Sequence, residues 1–173
     1  MRTARELLSQ YAEYHRDRRN IATHFVGIPL IVFSVAELLG RIRLGGTDSM
    51  WSVACVVWAL TTAFYLSRHL IIGVATSLAV GLAVWLGDSF SHAPFGTWLT
   101  VGVGSFVIGW IIQFIGHYFE GKKPAFVDDI TGLLIGPMFV VAEVVFALGL
   151  CTDLHQHIES KAGPTYLRDL SRA

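Results

Sequence analysis

A long apolar run ends in Gln113-Phe-Ile-Gly-His117-Tyr-Phe-Glu120-Gly-Lys-Lys-Pro124-Ala125, and the rest of the chain is organised around this stretch. Gln113, His117 and Glu120 are four and then three residues apart, so on a helix they form one polar stripe on an otherwise apolar surface. Imidazole and carboxylate are ordinary ligands for iron, zinc and manganese, so His117 with Glu120 forms a candidate metal site. A polar helix end that bonds to headgroups or neighbouring backbone is the simpler alternative.

The composition is that of a membrane protein. The chain has 173 residues, of which 53% are hydrophobic and 15% charged, and its mean hydropathy is +0.55. The usual share of charged surface is therefore missing. The net charge is zero, which argues against a nucleic-acid partner. Cys55 and Cys151 lie within or at the ends of apolar runs, and we expect small buried side chains with no part in the chemistry.

The apolar runs predict an all-α, polytopic integral membrane helical bundle. Residues 50–67 and 70–87 contain no charged side chain, and each is about long enough to cross a hydrocarbon core of about 30 Å. The short segment between them, Ser67-Arg68-His69, predicts a tight helical hairpin. We expect about five transmembrane helices in a single membrane domain of residues 1–173, with spans near 22–40, 50–67, 70–87, 95–117 and 130–150.

The two ends of the chain are polar. Residues 1–20 are charged throughout, and Leu7, Leu8 and Tyr11 recur near helical spacing, which predicts an interfacial helix that rests on the membrane surface. This segment contains no apolar core of a cleavable signal peptide, so the first apolar run is expected to be an uncleaved anchor. Residues 153–173 are predicted to form a polar tail.

Basic residues predict the orientation of the bundle. They cluster before the first span, at Arg68 between the second and third, and at Lys122 and Lys123 after the fourth. By the positive-inside rule the N-terminus is therefore expected to be cytoplasmic. Five full spans would put the tail on the far side, whereas a fifth segment that dips in and returns would put it inside.

This topology sorts the histidines by membrane face. The start of the first span and the end of the fourth lie at the same face, so His15, His24 and His117 are expected on the cytoplasmic side together with His69. His92 falls on the opposite side. The prediction that the first three meet therefore follows from counting spans.

A turn in the backbone is needed for His15 and His24 to share a ligand. They are nine residues apart, which on one unbroken helix puts them on opposite faces. Asn20 is suited to cap a helix at such a break. The plain alternative is that Asn20 merely caps and that both histidines are interfacial polar residues. With His117 they would instead form a three-imidazole centre with positions left for substrate and oxygen.

Two further charged residues are candidates for a role in the site. Glu143 lies about a dozen residues into the fifth run and cannot face lipid while ionised. It is therefore a metal ligand, an acceptor for the N–H of a metal-binding histidine or a proton relay, or else a structural carboxylate. Lys123, beside Lys122, fits an ordinary charge of a cytoplasmic loop, but it could also attract the carboxylate of a lipid substrate.

Three motifs together form a recognisable pattern. They are Tyr14-His15-x4-Asn20-x3-His24-x2-Gly27-Ile-Pro29, Trp110-x2-Gln113-Phe-x-Gly116-His117-x2-Glu120-Gly-x-x-Pro124-Ala125 and Gly136-Pro137-x-Phe139-x3-Glu143. This pattern, over roughly residues 10–150, resembles the membrane 2-hydroxy fatty acid dioxygenases, typified by the yeast enzyme of phytosphingosine breakdown. The resemblance implies an iron(II)-dependent enzyme that uses O2 to convert a 2-hydroxy fatty acid into a fatty acid one carbon shorter. It also implies a location in the endoplasmic reticulum in a eukaryote, or in the cytoplasmic (inner) membrane in a bacterium.

The resemblance also assigns roles to individual residues. It implies that His15, His24 and His117 bind iron(II), with Glu120 or Glu143 as a further ligand or an outer partner. Apart from the resemblance, Asn20, Gln113 and Lys123 are candidates to support the ligands or the substrate. A 2-hydroxy acid can chelate a ferrous ion through its hydroxyl and carboxylate, which leaves a position for oxygen. The sequence departs from the family pattern at His69, where we expect an acidic residue.

Several other kinds of site are missing from the sequence. There is no His-x-x-His-His cluster, no Gly-x-Ser-x-Gly elbow, no His-Glu-x-x-His and no phosphate-binding glycine loop. An enzyme with a metal site in a lipid bilayer is therefore the interpretation we favour. The alternatives are a non-catalytic lipid-binding or scaffold protein, and a hydrolase with zinc in place of iron.

Overall fold

The structure is a computed structural model that describes residues 2–46 and 49–172, so the predicted ends of the domain, residues 1 and 173, lie outside it. In these ranges the regular secondary structure is helical, and the all-α prediction is confirmed. Two short 3-10 turns accompany the α-helices. The α-helices are α1 (Ala4–Ala12), α2 (Arg18–Gly40), α3 (Val53–Arg68), α4 (Leu70–Ser91), α5 (Phe95–Glu120), α6 (Gly132–Ala147) and α7 (Thr152–Ala162).

The helices include fewer candidate membrane spans than the five predicted. Among the described residues, α2, α4 and α5 are long and apolar enough to cross a membrane. Helices α6 and α7 together would count as a fourth span, broken by the bend of 118° between them. The predicted spans at 50–67 and 130–150 were too long. Helices α3 and α6 have 16 residues each. Such a helix is about 24 Å long, less than a hydrocarbon core of about 30 Å.

The residues at the two ends of α3 explain its length. The Ser52 side chain accepts a hydrogen bond from the backbone N–H of Cys55 and caps the helix, so Met50 and Trp51 are left outside. At the other end only His69 separates α3 from α4, and its ring caps α4 at the N–H of Ile72. The predicted tight hairpin is present, and His69 has a capping role in it.

The described chain forms two compact units. We call residues up to Ile28 together with those from Ile111 onward the terminal unit, and Pro29–Trp110 the central unit. In the central unit α3 packs closely on α4, and the lack of a side chain at Gly73 allows this approach. A Cβ there would lie only 2.6 Å from the carbonyl oxygen of Tyr65. The single membrane domain expected from the sequence stays a prediction.

The terminal unit contains the core that matters for the site. Helix α1 packs against α6 and α7, and its apolar side chains, Leu7, Leu8 and Tyr11, are buried. Met138 and Phe139 of α6 are buried in the same unit. The apolar face of α1, which the sequence predicted to rest on a membrane surface, is therefore covered by protein, because α6 and α7 offer it an apolar partner.

Candidate metal centre

The chain turns sharply between α1 and α2. Helix α1 ends at Ala12, and the N–H of His15 donates to the carbonyl oxygen of Ala12 at 3.0 Å. Helix α2 then begins at Arg18, with the Asp17 carboxylate accepting from the N–H of Arg19 at 2.8 Å. The backbone break that the sequence required is present. The predicted cap was wrong: Asp17 caps α2, because its carboxylate accepts the backbone N–H of Arg19 in the first turn.

The turn brings His15 and His24 to one point, where His117 joins them from the end of α5. One ligand atom from each histidine can be chosen so that all three lie within 4.8 Å of one another. Their exposed fractions are 0%, 1% and 6%. The ring centroids of His15 and His117 are 4.9 Å apart, and those of His24 and His117 are 5.2 Å apart. The sequence prediction that these three imidazoles meet agrees with this geometry.

Backbone carbonyls orient two of the three rings. The Nδ1 atom of His15 lies 2.6 Å from the carbonyl oxygen of Tyr11, and Nδ1 of His24 lies 2.8 Å from that of Asn20. A carbonyl oxygen only accepts, so each Nδ1 carries the proton and each Nε2 keeps a bare lone pair. The two Nε2 atoms are 3.0 Å apart, so two neutral rings in this tautomer have no proton to share between them. This pairing is repulsive unless a cation lies between them.

The donor set fits a bound metal ion. Nitrogen ligands lie about 2.0–2.1 Å from a divalent metal, so two of them on one ion can be about 3 Å apart. His117 adds a third donor, because its Nδ1 is buried and has no hydrogen-bond partner among the described residues. Burial, together with the neighbouring His24 and His117, lowers the pKa of His15 well below its usual range. Its imidazole is therefore neutral, the form that binds metals.

Aromatic side chains close one side of the cluster. The ring of Tyr11 is stacked on that of His15, with centroids 4.0 Å apart and planes within 3°. Phe139 of α6 lies 5.5 Å from the His15 ring and 5.1 Å from the Tyr11 ring. The sequence analysis did not assign Tyr11 to the site, although its position four residues before His15 in the predicted interfacial helix was a signal that the two rings are close.

The structure does not group Glu120 with the three histidines. Its carboxylate instead accepts hydrogen bonds from the backbone N–H of Arg16 at 3.0 and 3.1 Å and from that of Asp17 at 2.8 Å. It also accepts one from Nδ2 of Asn20 at 3.0 Å. Glu120 therefore binds the turn that carries His15, and Asn20 takes part in the same contact from within α2.

The other predicted site residues lie at varied places around the cluster. Gln113 is buried one turn before His117, and its Oε1 has no hydrogen-bond partner among the described residues. Glu143 faces the guanidinium of Arg16, with 3.8 Å between Oε1 and Nη2. Lys123 is mostly exposed and forms an ion pair with Asp128 at 2.6 Å. Neither Glu143 nor Lys123 belongs to the group of three ligands.

The remaining histidines have other surroundings. His92 is exposed in the central unit beside Arg43. His155 of α7 stacks on Phe146 at 4.7 Å. Within the described ranges, the three-histidine cluster is the group of His, Cys, Asp or Glu side chains that lie close enough together to hold one metal ion.

Comparison with known proteins agrees with the resemblance seen in the sequence. A family model described as "2-hydroxy-palmitic acid dioxygenase Mpo1-like" matches residues 1–148. The curated protein "2-hydroxy-palmitic acid dioxygenase MPO1" of Saccharomyces cerevisiae is 32% identical over 158 residues, which cover 90% of this chain and 87% of the yeast protein. No solved structure matched the chain. The chain therefore belongs to the 2-hydroxy-palmitic acid dioxygenase Mpo1-like family.

Proposed function

We propose that this protein is an iron(II)-dependent dioxygenase that shortens 2-hydroxy fatty acids by one carbon, with His15, His24 and His117 as the iron ligands. The observation that carries the proposal is the pair of bare Nε2 atoms of His15 and His24, 3.0 Å apart. The overall reaction balances as a 2-hydroxy acid and O2 giving the acid one carbon shorter, carbon dioxide and water. A fatty acid as the class of substrate follows from the family.

The choice of iron rests on the chemistry that the family name requires. Three neutral imidazoles suit both zinc and iron, so the ligands alone leave both open. Zinc has no redox chemistry, whereas a dioxygenase must pass electrons to O2. When bound, iron(II) would supply that redox chemistry and a positively charged site for the hydroxyl and carboxylate groups of the substrate.

The protein itself orients the ligands and limits access of water. The carbonyl groups of Tyr11 and Asn20 hold the His15 and His24 rings with Nε2 free. Tyr11 and Phe139 cover the cluster with apolar surface. Gln113 would accept a hydrogen bond from the substrate, and its buried Oε1, which has no partner within the described chain, supports this role.

The proposed location follows from the apolar helices and the basic residues. Helices α2, α4 and α5 support residence in a membrane, where the acyl chain of the substrate also partitions. We place the N-terminus and the three-histidine cluster at the cytoplasmic face, because basic residues gather at that end. In a bacterium this would be the inner membrane, and in a eukaryote the endoplasmic reticulum.

The proposal predicts both a metal and a product. Protein purified without oxygen in detergent should contain iron by elemental analysis. With O2 and 2-hydroxyhexadecanoic acid it should form pentadecanoic acid, identified by mass, whereas hexadecanoic acid should give no product because it lacks the hydroxyl group.

Two results would count against the proposal. Bound zinc, with no oxygen consumed, would indicate a hydrolase. Oxygen consumption that is the same with and without the 2-hydroxy acid, in protein with no bound metal, would indicate a lipid-binding or scaffold protein.

A further inference from the structure

The C-terminal segment Gly163–Arg168 lies against the turn that carries His15. The N–H of Tyr166 donates to the carbonyl oxygen of Arg16 at 2.9 Å, and the N–H of Arg18 donates to the carbonyl oxygen of Tyr166 at 2.9 Å. Together these two bonds form a parallel bridge between Asp17 and Tyr166. The segment lies beyond residues 1–148, the range of the family-model match, so it is not carried over from that match.

Charged side chains reinforce this bridge. The N–H of Arg168 donates to Asp17 Oδ2 at 2.8 Å, and Nη2 of Arg19 donates to the carbonyl oxygen of Arg168 at 2.7 Å. Nη1 of Arg16 donates to the carbonyl oxygen of Gly163 at 3.1 Å. Asp17 and Arg16 are 0% and 4% exposed, so these charge-assisted bonds are largely shielded from water.

Glu120 holds the same turn by different groups. Its carboxylate accepts the N–H groups of Arg16 and Asp17 and the amide of Asn20, and the Tyr166 hydroxyl lies 3.4 Å from Oε1. Glu120 follows His117 by three residues on α5. One carboxylate therefore connects the helix that bears His117 to the turn that bears His15 and to the helix that bears His24.

We propose that Glu120 and the C-terminal segment are positioning elements of the metal centre, which hold the Arg16–Asp17 turn so that His15 stays aimed at His24 and His117. The turn has no regular structure of its own, and a metal ligand must be held within about 0.5 Å of its productive position. Outer partners that orient ligands typically contribute about 10- to 100-fold to metal affinity. This inference rests on the proposed metal site, and its test uses cobalt(II) as the probe.

A pair of proline substitutions in the full-length chain tests the segment. Tyr166→Pro removes the N–H that bonds to Arg16, whereas Leu167→Pro places the same ring one residue later, where the amide donates no hydrogen bond within the described chain. We expect Tyr166→Pro to weaken cobalt(II) binding about 10- to 100-fold, measured by competition with a chelator. Leu167→Pro keeps the N–H and the carbonyl group of Tyr166 that form the bridge, so it should weaken binding less than Tyr166→Pro does. Tyr166→Ala keeps the N–H and loses the phenol, so it should fall between them.

A second pair keeps the test decisive if a proline variant fails to fold. Glu120→Ala should weaken cobalt(II) binding and shift the visible absorption bands of the bound ion, because His15 is no longer held. Glu120→Gln retains one acceptor oxygen and should restore part of the affinity. A purely structural role would lower the melting temperature and leave both the bands and the affinity unchanged.

The outcomes separate this inference from the proposed function. If the unmodified protein binds cobalt(II), and Tyr166→Pro and Glu120→Ala bind it equally well with the same spectrum, the inference is wrong while the metal site stands. If the unmodified protein binds no cobalt(II), the metal site fails and this inference fails with it.

Discussion

Alanine in place of His24 or His117 is expected to abolish both iron binding and product formation. Each substitution removes one of three buried imidazoles whose ligand atoms can lie within 4.8 Å of one another. Loss of an outer partner alone typically costs about 10- to 100-fold in metal affinity, so loss of a ligand should cost at least as much. Elemental analysis and product mass should therefore change together in each variant.

The control for this prediction is His92→Ala. His92 is exposed and lies in the central unit, so this variant should keep the metal and the activity of the unmodified protein. Full metal occupancy in both His24→Ala and His117→Ala would show that the three histidines are not the ligands.

The same variants should differ in how metal affects stability. A ligand that binds only the folded state stabilises it by about 2.7 kcal/mol at a free concentration of 100 times Kd. Added cobalt(II) should therefore raise the melting temperature of the unmodified protein and of His92→Ala. It should not raise that of His117→Ala. An equal rise in all three would indicate binding elsewhere.

Gly116→Ala is expected to destabilise the fold strongly. A Cβ at this position would collide with Oγ1 of Thr23 and would lie 2.5 Å from Oδ1 of Asn20. Both side chains are short, and Asn20 is already bonded to Glu120, so relief requires α2 and α5 to separate. Overpacking of this kind typically costs about 1–3 kcal/mol. Because His24 and His117 lie on these two helices, metal binding should weaken too.

Gly104→Ala provides the matched control on the same helix. A Cβ on Gly104 meets nothing within 4 Å. Alanine is the better helix former by about 1 kcal/mol, so this variant should be as stable as the unmodified protein or more so. Denaturant unfolding measures both variants. Equal stability of Gly116→Ala and Gly104→Ala would mean that α2 and α5 do not pack closely at Gly116.

The meeting of the three histidines was predicted from features that a sequence displays, although the predicted number of spans was too high. Apolar runs indicate where helices lie, and basic residues indicate which helix ends share a membrane face. The start of the first run and the end of the fourth were thereby expected at one face, and with them His15, His24 and His117. The number of spans was less predictable. Run length alone did not reveal that Ser52 caps α3 and shortens it.

The function of Glu120 could not be predicted in the same way. Its spacing from His117 is equally suitable for a ligand and for an acceptor of backbone N–H groups. The difference depends on the turn at Arg16 and Asp17, more than 100 residues earlier in the chain. Asn20 shows the same limit. It was the predicted cap, but the chain bends earlier, so Asp17 caps α2 and Asn20 lies within the helix.

Local sequence was sufficient for the helical class and the apolar character, because hydrophobicity and helical spacing are properties of neighbouring residues. The three candidate ligands came from counting spans and from the family motifs. The direction of each Nε2 atom, the attachment of Glu120 to the turn and the docking of Gly163–Arg168 depend on contacts between distant parts of the chain. Hydrogen bonds form wherever folding brings a donor to an acceptor, and no local pattern records which distant partner that will be.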